Sequence, residues 1–178
     1  MNYPSLPSLL EKVAQLRANG AIDLSTEEDL SIAVMNLVSI EEHCFFSSQK
    51  TGNQSYLDLL DQVRQARAEL LGQLIDRHEG ESWCISKHLL AATMRLIEVG
   101  TKRRAAGQPE LARQTFDRAY QLYGLFWSLR LKLNEPGAIA TAVSAEARAS
   151  EKSGSTKPWD YRAIVDKLVD CCDERAKK

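Results

Sequence analysis

At 178 residues, 44% hydrophobic and 26% charged with a net charge of −1, the chain has the composition of an ordinary folded protein with room for one sizeable core. There is no basic excess to attract a nucleic acid, and no apolar run nears the ~18 residues of a membrane span. The opening MNYPSLPSLLEK has neither region of a signal peptide, and Cys44, Cys84, Cys171 and Cys172 form no C-x-x-C pair, so reduced thiols and a cytoplasmic location are expected.

Apolar residues recur at the helical period throughout. A first helix is expected from about Ser5 to Asn19, with Ser8 and Glu11 at capping-box spacing and Gly20 as its stop. A second is expected from Ser25, again at capping-box spacing with Glu28, to about Lys50, followed by a Thr51-Gly52-Asn53 turn. Its apolar arc holds Leu30, Val34, Leu37, Val38, Cys44 and Phe45, with Glu41 at the centre, while Asn36, His43 and Ser47 share the opposite, polar side. A third is expected from Ser55 to Arg77, where Arg67 interrupts a stripe of Tyr56, Leu60, Val63, Leu70 and Leu74. The short turn makes these two helices antiparallel neighbours. Counted from the turn at ~1.5 Å per residue, Glu41 and Arg67 differ in level by roughly 5 Å, so they are expected to form a partly buried ion pair.

The central helix is expected over Ser82–Arg104. Its two apolar flanks, Ile85, Leu89, Ala92, Leu96 and Val99 on one and Trp83, Leu90, Met94, Ile97 and Thr101 on the other, enclose a strip of small residues, Ser86, Thr93 and Gly100. Such a strip admits a neighbouring helix closely. The opposite side carries Cys84, His88, Ala91, Arg95, Glu98 and Lys102. That stripe reads as a solvated face of i,i+3 and i,i+4 charge pairs, or as a site in which Cys84 and His88, one turn apart, hold a ligand.

A fifth helix follows from Pro109, suited to a first helical position, to about Leu133. Leu111, Ala112, Phe116, Ala119, Tyr123 and Phe126 mark its buried face. Tyr120, Tyr123, Phe126 and Trp127 read as core with hydroxyls reaching polar partners, or as an aromatic-lined groove. Then come an Ala-rich helix to about Lys152, a linker over 153–158 and a last helix over about Trp159–Arg175. The expected fold is all-α: an antiparallel helical bundle of five main helices in a domain over 1–152, joined by the linker to a C-terminal helix in 159–178.

Read as a repeat starting at Thr93, residues 93–126 resemble one tetratricopeptide unit, a 34-residue helix–turn–helix. Leu96 falls on that family's Trp, Val99-Gly100 on its Leu-Gly pair, Gly107 on the turn, and Ala112, Phe116 and Ala119 on its Ala, aromatic and Ala positions. Arg103 and Gly124 depart from its Tyr and Pro. No second copy stands 34 residues away on either side. The resemblance therefore implies hairpin geometry rather than the family's peptide groove, which needs at least three stacked units.

No P-loop, nucleophile elbow, dinucleotide fingerprint or H-E-x-x-H is present. The leading expectation is a non-enzymatic protein acting through helix-mediated interaction with a protein partner or with copies of itself. Neither a nucleic acid nor a membrane is expected as a partner. The alternative is a helical bundle, an enzyme or a binding protein, that takes a small ligand or a divalent metal such as zinc or iron. Glu41, Arg67, Arg95 and Glu98 are the candidate ligand-binding residues, and Glu42, His43, Cys84 and His88 the candidate metal ligands.

Overall fold

The computed structural model describes residues 11, 14–16, 18 and 19, and residues 23–133. The expected Ala-rich helix, the 153–158 linker and the C-terminal helix lie outside the described residues, as does most of the expected first helix. Of that first helix, Glu11, Ala14, Gln15, Leu16 and Ala18 are helical.

The described residues are all-α. Four long helices follow in order, which we label α1 (Leu24–Thr51), α2 (Ser55–Leu74), α3 (Glu81–Ala105) and α4 (Pro109–Arg130), with a 3-10 turn at Arg77–Glu79. Among the described residues there is no strand, and no helix is long and apolar enough to cross a membrane.

Helix ends show where local chemistry overrides apolar period. α1 starts earlier than the Ser25 capping-box signal suggests, because Asp23 is the cap. Its carboxylate accepts from the Thr26 hydroxyl at 2.7 Å and the Thr26 amide at 3.2 Å, satisfying donors that an uncapped first turn leaves open. The hydroxyl bond first, then the amide, holds the Asp23 carboxyl below its usual range. Gly52, at φ +69°, closes α1 in the left-handed conformation that glycine adopts without strain. α2 ends at Leu74, three residues short of the expected Arg77. There Ile75 turns extended and Asp76 accepts from the His78 amide at 2.9 Å, diverting the chain into the 3-10 turn. Pro109 begins α4, its missing N–H falling where no intrahelical partner exists.

The core gathers Val34 and Met35 of α1, Leu71 and Leu74 of α2, Leu90 of α3, and Tyr123, Phe126 and Trp127 of α4. Its densest part is α4, where the seven consecutive residues from Tyr123 to Leu129 are all buried, so this stretch is covered all round. The aromatic cluster is therefore core: Phe126 and Trp127 are fully enclosed and meet edge-on at 5.5 Å between ring centroids. The Tyr123 hydroxyl lies 2.7 Å from Ser31 Oγ. Ser31 Oγ also lies within hydrogen-bond reach of the Glu28 carbonyl, at 2.7 Å.

α3 packs on α4, α1 on α2, and α1 also on α3. On α3, Ser86, Thr93 and Gly100 are all buried. At Gly100 the approach is tight enough that an added Cβ would sit 2.5–3.0 Å from atoms of the Phe116 ring.

Candidate functional site

α1 is gripped on two sides by charge. On one, Glu41 accepts from Arg67 Nε of α2 at 2.8 Å, with the side chains only 15% and 8% exposed. The expected pair thus meets, and a second cation missed in the sequence joins it: Arg64, half exposed, reaches Glu41 at 3.3 Å. Arg64 lies three residues before Arg67, on the neighbouring flank of α2, and also reaches Asp61 at 3.5 Å. On the other side Arg95 of α3 donates both to Glu42 of α1 and to Glu98 one turn along its own helix, all three side chains being solvated.

The candidate ligand-binding set therefore divides. Glu41 and Arg67 form one contact with α2, and Arg95 and Glu98 belong to another, between α3 and α1. Each charge already has an internal counter-charge, and exposed pairs of the second kind contribute ~0–1 kcal/mol.

The candidate metal ligands are not brought together. Glu42 is taken by Arg95, and His43 lines a groove together with Glu98. Cys84 and His88 are exposed on the early turns of α3. Glu42 is level with Arg95, so His88 and Cys84 lie roughly 10 and 16 Å farther down α3 at ~1.5 Å per residue. Among the described residues no three His, Cys, Asp or Glu side chains gather in a metal-binding group.

What the structure does form is a shallow groove of about 430 Å³ along α1. Asn36, Ser39, Ile40, His43, Cys44 and Ser47 line it from α1, Tyr56 and Leu59 from α2, and Met94 and Glu98 from α3. It continues past His43 and Glu98 to Ile97, Thr101 and Lys102. Three aliphatic side chains along it face solvent: Ile40 at 43%, Leu59 at 44% and Ile97 at 41% exposure. Sequence reading missed this surface because Asn36, His43 and Ser47 mark that side of α1 as polar. The available signal was the placement of Ile40 and Leu59 off the apolar stripes of their helices.

Glu41 and Arg67 hold the α2 wall of the groove to α1, and Arg95 holds the α3 wall. The chemistry this surface offers is apolar contact, with the hydroxyls of Ser39, Ser47 and Tyr56, the Asn36 amide and the His43 ring interspersed. Comparison with protein-family models, with curated proteins and with solved structures gives no match.

Proposed function

We propose that the protein is a non-enzymatic interaction protein whose groove along α1 receives an amphipathic helix from a protein partner. The observation that carries this reading is the run of solvent-facing Ile40, Leu59 and Ile97 along one groove. Clustered exposed aliphatic surface bordered by polar groups is the usual character of a protein-docking site. A docked helix would supply residues at i, i+3 or i+4 and i+7 to such a surface.

We also read the four helices as an antiparallel bundle, with α3 and α4 as a tetratricopeptide-like hairpin. Support for the bundle comes from the short turn at Gly52–Gln54 and from the Glu41–Arg67 pair. A further contact joins Glu27, at the start of α1, to Arg130, at the end of α4. Support for the hairpin comes from the burial of Ala112 and Ala119 and from the close approach of Gly100 to Phe116. At Arg103, where that family has Tyr, the guanidinium instead donates to Thr115 Oγ1 at 2.6 Å and ties the two helices by a polar contact.

The test is selection from a display library of amphipathic helices against the full chain and its I40D/I97D variant. Selected helices are expected to bind the variant ~10-fold or more weakly, a loss of about 1.4 kcal/mol. Helices that bind both proteins equally overturn the reading.

A further inference from the structure

We propose that the groove has a resident occupant in the chain itself: the segment 159–175, docked in cis, which an incoming helix must displace. This rests on the reading of the groove as a helix-docking surface and names the first helix that it takes.

The sequence of 159–175 has the pattern that such a surface selects. Tyr161, Val165, Leu168 and Cys172 recur at spacings of four, three and four, which places them on one face of a helix, with Ile164 and Val169 flanking them. Arg162, Asp166, Asp170 and Asp173 fall on the other side. A helix with one apolar face needs a surface to cover it, and the exposed Ile40, Leu59 and Ile97 need a cover of the same chemistry.

Reach supports the cis arrangement. The described chain ends at Leu133, close after Arg130, which pairs with Glu27 at the start of α1. From Glu27 the groove begins nine residues along α1, at Asn36, and ends at Ser47, so it lies roughly 14–30 Å away at ~1.5 Å per residue. The 25 residues from 134 to 158 span up to ~80 Å when extended, and still roughly 50 Å when the expected Ala-rich helix over 137–152 rises only ~1.5 Å per residue. A tether of that length holds the segment at an effective concentration of the order of millimolar. At micromolar protein the chain's own segment therefore outcompetes that of a second copy.

Hydrogen exchange followed by mass spectrometry on the full chain tests this. In the wild type, amides in 159–175 are expected to exchange ~10-fold or more slowly than in a synthetic peptide of the same sequence, independently of protein concentration. In I40D/I97D that protection is expected to vanish while amides in α1 to α4 keep theirs. V165D/L168D, which alters only the segment, is expected to do the same and covers the case in which the groove variant fails to fold. Three results overturn the proposal: no protection in the wild type, protection that survives both variants, and protection that appears only at concentrations where sedimentation shows a dimer. The last makes a second copy the occupant. If selected helices bind the groove while 159–175 is unprotected, the cis occupant fails and the docking surface stands.

Discussion

Glu41 and Glu42, consecutive in α1, hold different helices: Glu41 accepts from Arg67 of α2, and Glu42 from Arg95 of α3. Successive helical residues point about 100° apart, so one turn of α1 braces both walls of the groove. The two grips differ in environment. The Glu41–Arg67 pair is mostly withdrawn from water, and the Glu42–Arg95 pair is solvated.

That difference sets their contributions. Glu41→Ala leaves Arg67 buried without its carboxylate and is expected to cost ~3–5 kcal/mol, whereas the double change Glu41→Leu with Arg67→Leu removes both charges and should cost less. Glu42→Ala is expected to cost ~0–1 kcal/mol. Urea unfolding of the three variants checks the order, and equal losses for Glu41→Ala and Glu42→Ala would contradict it.

Gly100→Ala is expected to destabilise, although alanine is favoured over glycine in a helix by ~1 kcal/mol. The new Cβ meets the Phe116 ring at 2.5–3.0 Å, and forcing that ring or α4 outward costs ~1–3 kcal/mol. Combining the change with Phe116→Leu should recover part of the loss, which thermal unfolding of the single and double variants reads directly.

Tyr123→Phe removes the hydrogen bond with Ser31 while leaving Ser31 the Glu28 carbonyl. A loss of ~1 kcal/mol is expected. Because this bond joins α1 to α4, hydrogen exchange in the first turns of α1 should quicken.

The Asp23 cap makes the start of α1 sensitive to acid. The hydroxyl and amide of Thr26 hold the folded carboxyl below its unfolded value, so the folded state favours the charged form. The contribution is complete above the unfolded value, in the usual carboxylate range, and disappears as pH falls through the lower folded one. Asp23→Asn, which keeps an accepting oxygen, is expected to flatten this acid limb of the melting-temperature profile. An unchanged limb would show that Asp23 does not contribute to it.

The helices and their faces were legible wherever apolar period and caps agree. Glu41 and Arg67 stood out because each interrupts an apolar stripe at a level fixed by one short turn. The Ser86–Thr93–Gly100 strip announced a close neighbour because small residues at a spacing of seven leave a straight channel. Other features depend on where the helices diverge, which period does not encode. Phe45, placed within the apolar arc of α1, is 47% exposed, and Ile97, on the same flank of α3 as the fully buried Leu90, is 41% exposed. Cys84 and His88 share a side of α3 with Arg95, but a shared side says nothing of level, and level keeps them from Glu42.

The paired grips on α1 also determine where the chain tolerates a change in length. One residue inserted between Ser31 and Glu41 would turn everything after it by about 100° relative to the Tyr123 contact. Both carboxylates would then swing away from their guanidinium partners together. The same insertion at Gly52–Gln54, or between α3 and α4 beside Gly107, leaves every one of these contacts in register. Among the described residues, length variation is thus expected to be tolerated in the connections and not between Ser31 and Glu41 of α1.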